Sequence, residues 1–185
     1  MERIIKVIGF SGSLRKDSFN SALLRVAAEL MPEGSVLEVV EWGHLPLYNS
    51  DLEVGGQPEA VLQLRAQVAA GDALLFATPE YNYSIPGGLK NAIDWLSRGK
   101  GQPFDNKPTA IMGASMGALG SARAQYHLRQ VGVYLNMHFV NKPEVMLGAA
   151  HTKFDAEGKL TDEMAKKLIA QLLSNLVDAV RAQKG

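Results

Sequence analysis

The sequence predicts a doubly wound α/β domain, in which a parallel sheet is covered by helices on both faces. Short apolar strand patterns alternate with amphipathic helix patterns along the whole chain, which favours parallel strands joined by helical crossovers. One strand pattern is apolar on both faces, as a central strand of such a sheet requires. The chain has 185 residues, so we expect residues 1–185 to form a single domain.

The five predicted strands are short β-branched or apolar runs bounded by glycine, serine, threonine or proline. In chain order they cover residues 4–10, 36–42, 73–78, 107–113 and 139–147. The third run is apolar until its last residue, which is typical of a strand in the middle of a parallel sheet. The last run carries Pro143, which cannot donate a backbone hydrogen bond, so we place it at an edge of the sheet.

Each of the five predicted helices follows a strand. In chain order they cover residues 18–31, 58–70, 86–96, 121–135 and 161–180. Ser18 is the expected cap of the first helix, and Thr161 is the expected cap of the last. Pro86 is tolerated in the first turn of the third helix. Apolar residues recur at a spacing of three to four in these segments, so each helix has one face for the core.

The composition excludes several classes of function. Nineteen basic residues balance nineteen acidic ones, so no net charge is available to attract nucleic acid or an anionic membrane. The chain has no cysteine, which excludes disulfides, thiolate nucleophiles and cysteine-bound zinc or iron–sulfur sites. The four histidines lack the spacing of a metal site, so no metal is expected. Redox chemistry would therefore depend on a bound organic cofactor.

The sequence also lacks the pattern of a membrane segment. No apolar run reaches the length that a bilayer requires, and Lys6 interrupts the short apolar run near the N-terminus. We therefore expect a cytoplasmic protein.

The loop after the first predicted strand, residues 9–20, has the composition of an anion-binding site. Ser13, Ser18 and Asn20 offer neutral donors. Arg15 offers a charged fork, and the following helix N-terminus adds partial positive charge. The segment matches neither the P-loop nor the dinucleotide pattern, so a monophosphate ester is the favoured ligand. The alternative is an ordinary polar turn with a serine cap.

The loop after the third predicted strand, residues 78–91, offers flat apolar surface. Tyr81 and Tyr83 flank Asn82, a combination that suits the faces and edge of a planar heterocycle. Prolines on both sides stiffen the loop, so less entropy is lost on binding. The alternative is a subunit interface, where tyrosine is also common.

The loop after the fourth predicted strand, residues 113–123, contains a G-x-S-x-G pattern around Ser115. This pattern presents the nucleophile of many hydrolases, and Glu144 followed by His151 has the chain order of a triad. No HGGG-like oxyanion segment accompanies it, so we favour Ser115 and Gly117 as a third ligand-contacting segment. A serine hydrolase remains the alternative.

The chain resembles the NADPH-dependent FMN reductase family, and within it the chromate and quinone reductase branch. The resemblance rests on GSLRKDSFN at 12–20 and PEYNYSIPGGLKNAIDW at 79–95, and it continues through 125–129 and 141–144. It covers nearly the whole chain and shows no departure at a motif position. It implies a flavodoxin-like fold with a five-stranded parallel sheet of order 2-1-3-4-5.

The resemblance also implies which residues bind FMN. The first loop would hold the phosphate and ribityl chain, and the other two loops would line the isoalloxazine ring. The implied cofactor-binding residues are Ser13, Leu14, Arg15, Lys16, Asp17, Ser18, Phe19, Asn20, Pro79, Glu80, Tyr81, Asn82, Tyr83, Ser115 and Gly117. No catalytic side chain is implied, because the cofactor carries the chemistry.

By the same resemblance, NADPH or NADH passes a hydride to N5 of FMN. A quinone, chromate or another small oxidant then takes the place of the spent nicotinamide in a ping-pong cycle. Family members are dimers or tetramers, and our candidate residues for the subunit contact are Tyr83, Arg123, Tyr126 and Glu144. The alternative is a flavodoxin-like electron carrier or an FMN-binding regulator without turnover, although a neutral chain offers no charged docking face.

Overall fold

Six parallel strands form one sheet in the computed structural model, which describes residues 3–184. The strands are Ile5–Ser11 (β1), Ser35–Val40 (β2), Ala73–Ala77 (β3), Pro108–Ala114 (β4), His138–Phe139 (β5) and Val145–Leu147 (β6). The helices are Phe19–Glu29 (α1), Glu59–Ala69 (α2), Gly87–Leu96 (α3), Ala122–Tyr134 (α4) and Glu163–Lys184 (α5). Two short 3-10 helices, Ser50–Glu53 and Ala150–Thr152, lie in connecting segments. Apart from the last strand, every predicted strand and helix is present, with ends that shift by a few residues.

The strand order is β2-β1-β3-β4-β5, which confirms the order 2-1-3-4-5. β3 lies in the middle, paired with β1 on one side and with β4 on the other. All of its residues are buried, as its apolar sequence predicts. Because the strands are parallel, their carboxyl ends meet at one edge of the sheet.

Side chains that alternate along the strands build one core on each face of the sheet. Val7, Leu75 and Met112 pack against α1 and α5 on one face. Ile8 and Phe76 pack against α2, α3 and α4 on the other. Burying each such side chain is worth about 1.5–3 kcal/mol relative to leaving it in water. The prediction of a doubly wound α/β fold is confirmed.

The prediction of a single edge strand over 139–147 is wrong. β5 pairs with Pro108 and Thr109 at the start of β4, and β6 pairs with the last three residues of β4. Between β5 and β6 the chain leaves the sheet, and this interval contains Pro143, which has no amide N–H to give to a strand ladder. The sheet therefore has six strands within residues 3–184, rather than the five predicted.

The predicted cap of the last helix is also wrong. α5 begins at Glu163, and the Asp162 carboxylate accepts a hydrogen bond from the Ala165 amide (2.9 Å). The Thr161 hydroxyl instead donates to the Lys153 carbonyl (3.1 Å). The bond from the Ala165 amide and the ion pair with Lys153 hold the pKa of Asp162 below its ordinary value. Asp162 caps the helix because it lies one residue nearer to the first turn and its charge complements the helix dipole.

Three loops gather at the carboxyl edge of the sheet. We call residues 12–18, after β1, the first loop; residues 78–86, after β3, the second loop; and residues 115–121, after β4, the third loop. Ligands of open parallel sheets bind at this edge, so the three predicted segments lie on the expected side of the molecule. Among the described helices, none combines the length and the apolar character needed to cross a membrane.

Candidate functional site

Ser13 and Ser18 place hydroxyl groups of the first loop at the N-terminus of α1. The Ser18 oxygen accepts hydrogen bonds from the amides of Asn20 (3.2 Å) and Ser21 (3.4 Å), which confirms the predicted cap. The Ser13 oxygen accepts from the Arg15 amide (3.3 Å). Both hydroxyls keep their own hydrogen for a further acceptor. Since both residues are buried, these donors have fixed positions.

The backbone of the first loop adds more donors. Within residues 3–184, no hydrogen bond of standard geometry uses the amide N–H of Lys16, Asp17 or Phe19. The Phe19 amide is the first of α1, and those of Lys16 and Asp17 precede the Ser18 cap, near the end of the helix where the dipole places partial positive charge. The Lys16 and Asp17 side chains are exposed to solvent. The first loop and the first turn of α1 therefore carry several N–H and O–H donors that could bind an anion.

Leu14 and Arg15 border a cleft on the side of the first loop that faces β2. The cleft has a volume of about 410 Å³ and is also lined by Trp42 and His44. The Arg15 guanidinium lies 5.6 Å from the centre of the Phe19 ring, at the long end of the cation–π range. Arg15 is thus held close to the N-terminus of α1 by a partly buried aromatic ring.

The side chain of Asn20 points into the protein rather than towards solvent. Its oxygen accepts a hydrogen bond from the Ala114 amide (2.9 Å), and its NH₂ group donates to the Ala114 carbonyl (3.0 Å). Asn20 is 2% exposed. It therefore joins the start of α1 to the end of β4, where the third loop begins.

The second loop contains a two-residue turn that projects Tyr83. Tyr81 and Ser84 exchange two backbone hydrogen bonds of 3.0 Å. Between them, Asn82 and Tyr83 both have positive φ angles, 49° and 67°. This is the geometry of a type I′ turn, which suits asparagine but strains a bulky residue. Tyr81 is 51% exposed and Tyr83 is 67% exposed, so both rings are open to a ligand.

The side chain of Glu80 caps α4. One carboxylate oxygen accepts from the amides of Arg123 (3.0 Å) and Ala124 (3.4 Å), and the other accepts from the Arg123 guanidinium. That guanidinium lies 3.5 Å from the centre of the Tyr83 ring. Ser121, which precedes the helix, makes no side-chain cap. Glu80 therefore joins the second loop to the first turn of α4, and its neighbour Pro79 is the second residue after β3.

The charge of Glu80 is balanced inside the protein. Burial alone would raise the pKa of Glu80, since its side chain is only 7% exposed. The hydrogen bonds from Arg123 and Ala124 outweigh burial, so the pKa of Glu80 lies below its ordinary value. The same interaction raises the pKa of Arg123. At neutral pH the pair is a carboxylate bound to a guanidinium.

Backbone hydrogen bonds fix the third loop against the segment that follows β6. The Ser115 amide donates to the Leu147 carbonyl (3.0 Å), and the Ser115 carbonyl accepts from the Ala150 amide (3.0 Å). The Gly117 carbonyl accepts from the Ala149 amide (3.2 Å). Both predicted residues of this loop thus lie at the carboxyl edge on a supported backbone.

The geometry does not support a nucleophilic Ser115. In the described part of the chain its hydroxyl accepts from the Gly117 amide (3.1 Å) and makes no hydrogen bond with a histidine. Glu144 accepts from the Tyr126 hydroxyl (3.0 Å) instead of orienting a histidine. A nucleophile elbow has its strained turn at the serine, whereas the positive φ of this loop falls on Ser121 (70°) among its non-glycine residues.

Sequence reasoning missed Trp42 as a residue that positions the site. Its indole N–H donates to the Ser11 carbonyl (2.9 Å) at the end of β1. Its ring also packs against Gly88 at the start of α3, where a Cβ atom would come within 2.8 Å of it. The sequence did contain a signal for this role, because Trp42 is the last residue of the second predicted strand and so lies at the carboxyl edge of the sheet. The sequence analysis names both Arg123 and Glu80, but it does not predict that they pair with each other.

Comparison with known proteins identifies the family of this chain. The model of the NADPH-dependent FMN reductase family matches residues 5–152. An NAD(P)H-dependent FMN reductase of Pseudomonas aeruginosa is 55% identical over 181 residues, which cover 98% of either chain. An NADPH:quinone oxidoreductase of Arabidopsis thaliana is 48% identical over 94% of this chain and 90% of that protein. A solved structure, the flavoenzyme FerB of Paracoccus denitrificans, an NAD(P)H:acceptor oxidoreductase, is 36% identical with a TM-score of 0.87, over 97% of this chain and 98% of that one.

The matched region runs from β1 to the segment after β6 and so contains all three loops. The similarity to FerB over nearly all of both chains confirms the flavodoxin-like fold. Identity of about half the residues over almost the full length confirms that the protein is an oxidoreductase. The chain therefore belongs to the NADPH-dependent FMN reductase family.

Proposed function

We propose that the protein is an FMN-dependent NAD(P)H oxidoreductase that reduces quinones. The observation that carries this proposal is the placement of two complementary surfaces at one edge of the sheet. The first loop offers several N–H and O–H donors, and the second loop offers the exposed rings of Tyr81 and Tyr83. The names of the relatives from Pseudomonas aeruginosa and Arabidopsis thaliana, an FMN reductase and a quinone oxidoreductase, support the same two ligands here.

The residues at this edge fit FMN. A phosphate monoester suits the hydroxyls of Ser13 and Ser18, the free amides of Lys16 and Asp17, and the dipole of α1. Arg15 adds a charged donor beside them. The flat ring suits the exposed tyrosine faces of the second loop and the backbone of the third loop. The proposed binding residues are those predicted from the sequence, with Asn20 and Glu80 acting through the elements that they join.

Bound FMN would supply the redox chemistry, accepting a hydride from NADPH or NADH and delivering two electrons to the acceptor. The chain itself holds the phosphate at the N-terminus of α1 and orients the ring between two rigid loops. The Glu80 carboxylate is neutralised by Arg123, so it places no free negative charge in the second loop. Because Tyr81 and Tyr83 are exposed, donor and acceptor can reach the same surface in turn.

The open surface sets the class of acceptor. Apolar aromatic walls suit planar acceptors such as quinones. We extend the proposal to chromate and other small oxidants, which need access to the reduced cofactor but no shaped pocket. A cytoplasmic location, where NAD(P)H is supplied, completes the proposal.

Visible absorption spectra of the purified protein test this function. After addition of FMN and desalting, we expect retained flavin absorption that bleaches with NADPH or NADH in the absence of oxygen and returns with a quinone. Steady consumption of excess NAD(P)H separates an enzyme from an electron carrier without turnover, and chromate replaces the quinone in a parallel assay. Ser13→Ala should retain less FMN than the wild type. A protein that does not bind FMN in a titration overturns the proposal.

We also propose that the protein is a homodimer or homotetramer. Exposed apolar side chains lie along the surface of α4, among them Tyr126, Val133 and Tyr134. Tyr126 donates to Glu144 beside this surface, and that bond raises the pKa of Tyr126. Glu144→Ala is expected to lower the solution mass measured by light scattering, because it removes the partner that orients Tyr126. Asp178→Ala, which breaks an exposed ion pair on α5, is the control. An unchanged mass for Glu144→Ala removes Glu144 from the contact.

A further inference from the structure

The Asn20 side chain bonds to β4 at a position that no neighbouring strand reaches on the β3 side. β3 ends at Ala77, opposite Met112 of β4, and the Thr78 amide still donates to the Met112 carbonyl (3.0 Å). Successive residues of a strand direct their peptide groups to alternate sides, so Ala114 is the next residue of β4 that faces the β3 side. β3 ends at Ala77, so no residue of β3 pairs with Ala114.

The Asn20 side chain meets the Ala114 peptide in its place. A side-chain amide carries one acceptor oxygen and an NH₂ donor, the same pair of groups as a backbone peptide. Both bonds have good lengths, 2.9 Å and 3.0 Å, and both are buried. They join residues 94 positions apart in the chain. Asn20 thereby completes the hydrogen bonding of β4 at the residue from which the third loop departs.

The two ends of this bridge lie at opposite parts of the proposed FMN site. Asn20 is the second residue of α1, and its own amide is bound by the capping oxygen of Ser18. Ala114 directly precedes Ser115 and the rest of the third loop. The bridge thus connects the elements that would hold the phosphate and the ring.

We propose that Asn20 is a positioning residue that couples the two halves of the site by holding the third loop in register with the N-terminus of α1. This inference rests on the proposed function and deepens it. It differs from the direct contact with phosphate or ribityl chain that the family resemblance implies for Asn20. Loss of a residue that touches the phosphate weakens binding of the phosphate alone, whereas loss of a residue that positions the third loop weakens binding of the ring, which FMN and riboflavin share.

Titration of the apoprotein with FMN and with riboflavin, which lacks the phosphate, separates positioning from contact with the phosphate. Riboflavin keeps the ribityl chain, so the hydrogen-exchange experiment without flavin separates positioning from contact with that chain. Asn20→Ser is too short to span both Ala114 groups, and its affinities for FMN and for riboflavin are expected to fall by the same factor, about tenfold. The matched control is Ser13→Ala, which removes a hydroxyl of the first loop and should weaken FMN alone. If Asn20→Ser weakens FMN and leaves riboflavin unchanged, Asn20 is a ligand and the proposal is wrong.

Amide hydrogen exchange of the apoprotein gives a readout that needs no flavin. Asn20→Ser should speed exchange at least tenfold in the peptide covering 114–121, whereas Ser13→Ala should leave that peptide unchanged. Asn20→Asp is the second variant in case Asn20→Ser does not fold; it keeps the acceptor for the Ala114 amide but places a carboxylate oxygen against the Ala114 carbonyl where the donor was. Exchange in 114–121 that matches the wild type in both variants overturns the proposal.

The two proposals fail in different ways. If the wild type binds neither FMN nor riboflavin, the proposed function is wrong, yet the exchange experiment still tests whether Asn20 holds the third loop. If the wild type binds both flavins and the Asn20 variants bind and exchange as the wild type does, the function stands and the positioning role is wrong.

Discussion

Replacing Glu80 with alanine is expected to lower the free energy of unfolding by about 2 kcal/mol. The variant loses the acceptor for two amides in the first turn of α4 and leaves the Arg123 guanidinium without its carboxylate. Arg123 is partly exposed, so water replaces some of the lost interaction and the effect stays below that of a fully buried ion pair. Denaturation in urea measures the change.

Glu38→Ala is the matched control for this prediction. Glu38 also forms an ion pair, with Lys6, but both side chains are well exposed, so its removal should cost no more than about 0.5 kcal/mol. Equal losses in free energy of unfolding for the two variants would contradict the explanation that Glu80 stabilises the protein through its buried cap of α4. Loss of FMN retention in Glu80→Ala is expected alongside the stability change, because Tyr83 packs on the same guanidinium.

The lowered pKa of Glu80 gives this contribution a pH dependence. An unfolded chain has a Glu pKa of about 4.3, and the folded value is lower, so the folded state favours the carboxylate. The stabilisation is therefore fully present above about pH 4.3 and is lost as the pH falls through the folded pKa. Glu80→Gln lacks this contribution. The difference in free energy of unfolding between wild type and Glu80→Gln should stay constant near neutral pH and shrink below about pH 4. A difference that stays constant down to about pH 3 would contradict a pH-dependent contribution from Glu80.

Replacing Gly113 with alanine is expected to cost about 3 kcal/mol of stability and to weaken FMN retention. A Cβ atom at this position would collide with the Thr78 carbonyl oxygen and the Ser121 hydroxyl. The Thr78 backbone cannot easily yield, because its amide is bound to the Met112 carbonyl. The methyl group would therefore push the starts of the second loop and of α4 away from β4. Urea denaturation and FMN titration measure the two effects.

Gly117→Ala tests whether any added methyl group near the third loop has this effect. A Cβ atom at Gly117 would meet only the Ser115 hydroxyl, at an ordinary contact distance of 3.5 Å. Its stability should match the wild type within about 0.5 kcal/mol. A loss as large as that of Gly113→Ala would mean that mobility of the loop, rather than space at β4, governs stability.

Local patterns in the sequence predicted the fold well, and they placed the three candidate loops at one edge of the sheet. The apolar run of β3 predicted a central strand, and Ser18 predicted the start of α1, because both depend on residues close together in the chain. The serine-rich first loop also predicts an anion-binding N-terminus, which stays a prediction. Even so, a choice between adjacent residues such as Thr161 and Asp162 depended on where the helix begins, which the local pattern did not fix.

The interactions that join the loops could not be predicted from such patterns. Asn20 meets Ala114 across 94 positions, and Glu80 meets Arg123 across 43. Nothing near either residue in the sequence identifies its partner, because the partner is brought close only by the completed sheet. Tyr83 is a similar case, since tyrosine is no turn signal and its left-handed backbone is tolerated beside the Arg123 contact.

The interruption between β5 and β6 has a consequence for self-association through the sheet. A free edge presents unpaired amides and carbonyls that can recruit a strand from another molecule, and this is a common start of aggregation. At the edge formed by β5 and β6, the two strands are only two and three residues long, and Pro143 lies between them. Neither strand is long enough for stable addition of a strand from another molecule. The opposite edge, β2, is continuous over six residues. Resistance to polymerisation at high concentration therefore depends on β2 and on the charge that Glu38 places there.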